Sequence, residues 1–216
     1  PITALLLFDH SAERVRAILL ATLQCQPAML LHVLVFAHAA RRWPWPACLA
    51  LANGAYLLLA AALVTLDLPA AAAVALVALA WMLVLRALPS ADDASAARVA
   101  VPSVELWWRL GVALVVAAGV IEGASTMPVA FGGVLLAAPI TGNVLPAFTL
   151  PRHGPQATAL LLRGFVRGQL GFAAFVTSMV LLLPVLHGAA AWAAAVALAT
   201  LAPWAVARRR RRRAQA

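Results

Sequence analysis

The chain is a succession of apolar runs, most of them long enough to cross a bilayer, separated by short polar or proline-bearing breaks. A spanning helix needs ~20 mostly apolar residues, because the hydrocarbon core is about 30 Å thick and a helix rises about 1.5 Å per residue. Runs of this kind occupy residues 17–40, 47–66, 70–88, 104–126, 156–183 and 189–207, and a less regular one occupies 129–150. The expected fold is all-α: a polytopic transmembrane helix bundle of about seven spans, one of them broken, forming a single transmembrane domain over residues 1–216. Composition excludes the soluble alternative. At 65% hydrophobic and 11% charged residues, with mean hydropathy +0.96, the chain cannot cover itself with a water-compatible surface.

Six consecutive arginines at 208–213 follow the last apolar run. Arginine beside a span is retained on the cytoplasmic side, so residues 208–216 form a basic cytoplasmic tail and the C-terminus lies inside. Counting back through seven crossings puts Arg152, Arg163 and Arg167, Arg98 and Arg109, Arg86, and Arg41 with Arg42 on the same side. The polar loop 89–103 is then cytoplasmic, and the turns at Asp67 and His187 lie outside. Arg14 and Arg16 are the exception, balanced by Asp9 and Glu13. The net charge of +9 does not indicate a nucleic-acid partner, because the basic residues flank apolar runs and read as contacts to anionic headgroups. All sixteen basic residues are arginine in an alanine-rich chain, the codon usage of a GC-rich bacterial genome, so the expected location is a bacterial inner membrane.

The sharpest local feature is Gly132-Gly133-Val134-Leu135-Leu136-Ala137-Ala138-Pro139-Ile140-Thr141-Gly142-Asn143. Pro139 removes a backbone donor and clashes with the preceding turn. Gly142 adds a second expected break, and Pro146 and Pro151 follow. Peptide groups freed at membrane depth must face protein or a water-filled cavity. Two readings stand: a kinked packing helix without a ligand, or a solute site of the kind that broken helices form in secondary transporters.

Pro1-Ile2-Thr3 recurs as Pro139-Ile140-Thr141, each followed by a polar stretch with a histidine (His10, His153) and then an apolar helix. A duplication separated by five helices would be inverted across the membrane. The opening segment is too short to span, and it reads as the tail of a helix begun upstream. The Gly-Gly-x-Leu-Leu-Ala-x-Pro-Ile-Thr-Gly stretch and Leu162-Arg163-Gly164-Phe165-Val166-Arg167-Gly168 resemble an uncharacterised family of small bacterial polytopic inner-membrane proteins. More loosely, the chain is similar to ten-helix carriers with inverted five-helix halves, such as the drug/metabolite transporter superfamily. The resemblance covers about the last third of the chain and implies an inverted-repeat carrier, with no substrate residues to carry over.

Ionisable groups at depth cost at least ~2.5–3.5 kcal/mol on insertion scales and ask for a reason. Glu122 reads either as a coupling carboxylate or as an interfacial glutamate near the outer end of its span. His32, sharing a helix face with Cys25, reads as a histidine hydrogen-bonded between helices, with coupling as its functional alternative. No metal-ligand spacing is present. Arg163 and Arg167 read as snorkelling to the cytoplasmic surface, with lining a cavity for an anion as the alternative, and Gly164, Gly168 and Gly171 make a close-packing face. Trp43, Trp45, Trp107, Trp108, Trp192 and Trp204 fall at span ends as an aromatic belt.

These readings lead to a small secondary transporter or permease for an unidentified small solute. Its substrate-binding residues would be Pro139, Thr141, Gly142, Asn143 and Gln169, its coupling residues Glu122 and His32, and no cofactor is implied. The alternative is a non-transporting assembly factor or subunit acting through helix–helix contacts. An enzyme ranks last, because no paired carboxylates, metal motif or serine nucleophile falls within the spans. The expected partners are the lipid bilayer and the solute, with no nucleic acid and with a homo-oligomer left open.

Overall fold

Ser11 opens the helix around which the rest of the protein is organised. Its extended backbone (φ −61°, ψ 147°) and a hydroxyl that accepts from Arg14 N at 3.3 Å cap a 28-residue helix, with Glu13 in the first turn facing the positive end of the dipole. The structure is a computed structural model that describes residues 2–66, 68–89 and 128–214, together with Trp107, Gly111, Leu114, Val115, Ala118, Gly119 and Glu122. The expected turn residue Asp67, most of the fourth span (Arg109 included) and most of the 89–103 loop with Asp92, Asp93 and Arg98 lie outside the described residues.

All secondary structure among the described residues is helical. The helices are α1 (Ile2–Asp9), α2 (Ala12–Ala39), α3 (Trp45–Val64), α4 (Ala70–Ala87), α5 (Val129–Ala137), α6 (Ile140–Leu182) and α7 (Gly188–Ala214). Among the described residues, four stretches are long and apolar enough to cross a membrane: α2, α3, α4 and the 54-residue run 129–182 made by α5 and α6. The protein is therefore membrane-embedded by length and composition. The opening segment, expected as a helix tail, is the short helix α1 packed on α2 and α7.

α2 is the hub. Every residue from 21 to 30 is buried, and 78% of its most apolar window lies inside the protein, against 28% for α3 and 17% for α4. A helix buried all round belongs at the centre of a bundle, and α3, α4, α5 and α6 all pack against it. Close approach depends on small residues. A methyl added at Gly133 would lie 2.8 Å from the Ala21 carbonyl carbon and 2.9 Å from Thr22 N, so only glycine lets α5 sit against α2. Gly132 is less constrained: a methyl there would meet Ile18 at 3.5 Å, an ordinary van der Waals contact.

The run α5–α6 turns back on itself at Gly154. Its φ of 78° and ψ of −178° fall where a side chain is strongly disfavoured, and this residue interrupts an otherwise helical stretch. Before it, Gly132 lies against Ile18 and Asn143 against His32, so the chain advances alongside α2. After it, Arg163 reaches the carbonyls of Leu88 (2.8 Å) and Pro89 (3.1 Å), Trp81 Nε1 donates to Val166 O (2.9 Å), and Arg16 Nε donates to Val180 O (3.0 Å), so the chain returns toward the start of α2. Two antiparallel legs therefore occupy the 43 residues of α6.

Several expectations change here. Gly142, Pro146 and Pro151 lie inside α6 rather than breaking it, since a proline's fixed φ suits a helix and its missing donor costs one hydrogen bond without ending the element. Gly164 and Gly168 do not form a packing face among the described residues: a methyl at either meets nothing within 4 Å. Arg163 holds the end of α4 by its carbonyls instead of reaching only toward the surface. Trp43, Trp45 and Trp107 are exposed, as a belt requires, but Trp192 packs on a core cluster with Leu6 and Leu183.

Candidate functional site

The break between α5 and α6 begins with Pro139. Ala138 before it is extended (φ −57°, ψ 136°), the conformation that a following proline ring imposes. Accounting for the backbone shows what the break leaves over. The Tyr56 hydroxyl donates to Val134 O (2.5 Å), Ala138 N donates to Leu135 O (3.1 Å), Ile140 N to Ala138 O (2.8 Å) and Asn143 N to Pro139 O (2.8 Å). Among the described residues, the carbonyls of Leu136 and Ala137 and the amides of Thr141 and Gly142 take no such partner.

Leu136, Ala137 and Thr141 border a cavity of about 240 Å³ with Pro139, Phe165, Gln169 and Phe172 also among its walls, and Gly142 lies just beyond it. Pro139 is buried, Thr141 is exposed, and Gln169 is half-buried with its Oε1 buried and without a protein partner among the described residues. No wall residue is ionisable. An unmade hydrogen bond at a buried acceptor costs about 1–3 kcal/mol, so Gln169 Oε1 leaves the site an acceptor for a donor to satisfy.

Beside the cavity lies a polar cluster that joins three helices. His32 is fully buried in α2. Asn53 of α3 and Asn143 of α6 exchange a reciprocal pair of amide hydrogen bonds, each 3.0 Å, and Asn143 Oδ1 lies 2.8 Å from His32 Nε2. The orientation of all three follows from one anchor. Asn53 Nδ2 also donates to Leu49 O at 2.9 Å, and a carbonyl can only accept. Asn53 must therefore turn its oxygen to Asn143 Nδ2, which leaves Asn143 Oδ1 facing the imidazole. Nε2 then carries the proton and donates, and Nδ1 is left as a bare acceptor, buried without a protein partner among the described residues. Gly142 sits against this ring: a methyl there would lie 3.4 Å from His32 Cε1 and 3.5 Å from Nδ1.

The residues expected at the site separate into two adjoining groups. Pro139, Thr141 and Gln169 line the cavity, whereas Gly142, Asn143 and His32 form the neighbouring cluster. Glu122 is helical and exposed, and it is not among the cavity walls. Cys25 is buried on the same helix as His32, and its thiol points to Ala60 O at 4.0 Å. Sequence reasoning missed Asn53 and Tyr56. The available signal was an asparagine alone in the apolar stretch Leu51-Ala52-Asn53-Gly54 and the chain's single tyrosine four residues before Ala60. No family model, no curated protein and no solved structure matches this chain, so the reading of the site rests on its own geometry.

Proposed function

We propose that this protein is a small secondary transporter of a bacterial inner membrane, crossing the bilayer seven times with its basic C-terminal tail in the cytoplasm, and that its solute binds at the break between α5 and α6. The observation that carries the reading is the set of peptide groups of Leu136, Ala137 and Thr141, without backbone partners among the described residues, beside a half-open cavity of about 240 Å³ lined by α2, α5 and α6. Lipid cannot satisfy such groups, and a broken helix beside a cavity is how many carriers present backbone to a substrate.

The ends of the bundle support the orientation. Arg41, Pro89, Pro155 and Gln156 border one pocket, so the α2–α3 turn, the end of α4 and the reversal at Gly154 share an end. α7 starts beside Leu7 at the opposite end and packs along α6, which carries its arginines toward the first. A repeat would pair α1 with the first leg of α6, each followed by a break and a long helix (12–39 and 155–182), and those long helices run antiparallel, with Arg16 meeting Val180.

Cysteine accessibility tests the transport reading. In a chain with Cys25 and Cys48 replaced by serine, Thr141→Cys is expected to react with a membrane-impermeant thiol reagent from either face of sealed vesicles, and prior labelling from one face should block the other. Reaction from neither face would overturn it.

A second reading, a non-transporting assembly factor or subunit, is favoured by one observation, the open space over Gly164 and Gly168. A helix partner fits such a face. Under that reading Gly168→Leu abolishes association in crosslinking while Thr141→Cys stays unreactive from both sides.

A further inference from the structure

We infer that the cavity at the break takes a small uncharged solute with at least one N–H or O–H donor attached to an apolar, ring-sized body. The inference rests on the reading of the break as the site and names the class of ligand it holds. The walls carry it. Met29, Leu136, Phe165 and Phe172 supply hydrocarbon and aromatic surface, and Thr141 and Gln169 supply the only polar side chains among the described wall residues. With no ionisable group among the described wall residues, a net charge of either sign would find no counter-charge on them as it leaves water.

The donor requirement comes from the unpaired atoms. Gln169 Oε1 is a buried acceptor without a protein partner among the described residues, and the Leu136 and Ala137 carbonyls at the end of α5 lack backbone partners. All three are acceptors, so a ligand that brings no hydrogen to them leaves them unmet. The amides of Thr141 and Gly142 open α6 across the break and can receive an acceptor on the same polar head. Size sets the body. An apolar cavity of about 150 Å³ is enough to hold benzene, so 240 Å³ leaves room for a ring and one small polar group.

Four probes of nearly equal shape separate these requirements. Benzamide is uncharged with donor and acceptor, acetophenone is uncharged with an acceptor alone, benzoate is the anion and benzamidinium the cation. Binding is read by calorimetry on the whole chain in detergent micelles, with empty micelles subtracted. Benzamide is expected to bind, with the other three weaker by about tenfold or more. Gln169→Leu should bring benzamide down to the level of acetophenone, and Thr141→Val offers the same comparison at an exposed position should the first variant fold poorly. Equal or tighter binding of benzoate, benzamidinium or acetophenone, or no benzamide binding to folded protein, overturns the inference. Its fate is separable from that of transport. Selective benzamide binding without any flux across vesicles upholds the ligand class and sinks the carrier, whereas flux of an ionic solute without benzamide binding does the reverse.

Discussion

Asn53 sets the protonation geometry of a histidine it does not touch. Its bond to Leu49 O orients Asn143, and Asn143 in turn assigns the proton of His32 to Nε2. Interhelical polar pairs in membranes couple by about 0.6 kcal/mol on average and up to ~1.7 kcal/mol. The reciprocal Asn53–Asn143 pair, half-buried and doubly bonded, belongs toward the upper figure. A double-mutant cycle with Asn53→Ala and Asn143→Ala, read by thermal unfolding in detergent, is expected to show a coupling of about 1 kcal/mol or more. Coupling near zero would mean that the pair does not form. Glycines give a second contrast at this scale. Gly133→Ala must displace the backbone at Ala21 and Thr22 and should destabilise by about 1–3 kcal/mol. Gly164→Ala meets nothing among the described residues and should stay within ~0.5 kcal/mol or stabilise, as the same unfolding measurement will show.

At the scale of elements, two interruptions do different work. Pro139 opens the ladder and leaves peptide groups unpaired, whereas Gly154 reverses the chain through a conformation that only glycine adopts at low cost. Gly154→Ala is expected to cost about 1–3 kcal/mol although its methyl would meet no neighbour, because the cost lies in the backbone. The same substitution at Gly54, helical and also without a near neighbour, should stabilise by up to ~1 kcal/mol through helix propensity. Opposite signs in paired unfolding measurements would confirm that conformation, not packing, decides at Gly154. Pro139→Ala restores a donor next to Leu135 O and should partly close the break. Labelling of Thr141→Cys is then expected to slow, and an unchanged rate would show that the opening does not depend on the missing donor.

The whole molecule is a bundle around one buried helix, with its ends distinguished by charge. The described arginines Arg41, Arg42, Arg86, Arg152 and Arg163 gather toward one end, and Arg14 and Arg16 with Glu13 stand at the other. Single cysteines at Arg41, Pro89 and Gln156 are expected to label from one face of sealed vesicles and one at His187 from the other. Mixed sidedness within the first group would contradict both the bundle and the charge-based orientation.

Much of this was legible beforehand. The apolar runs announce α2, α3 and α4 within a few residues of their ends, because lipid requires about the same length of unbroken hydrocarbon from every span. The proline at 139 announces a break for an equally local reason, the absent donor. The reversal near 154 was foreshadowed by Pro151, Gly154 and Pro155, but which of these turns the chain is decided by a backbone angle that only glycine tolerates. The second break expected at Gly142 does not occur, because a helix held by its neighbours absorbs a glycine and one lost hydrogen bond at Pro146.

What the sequence determined alone is that this chain is helical, lives in lipid and is interrupted at Pro139, since these depend on composition and covalent geometry within one segment. What only the tertiary structure decided is which residues meet there. His32, Asn53 and Asn143 come from three helices far apart in sequence, and Gln169 faces Thr141 only because the chain doubles back. Hydrogen bonds need atoms about 3 Å apart in defined directions, and no periodicity along a chain encodes that meeting until the helices are packed.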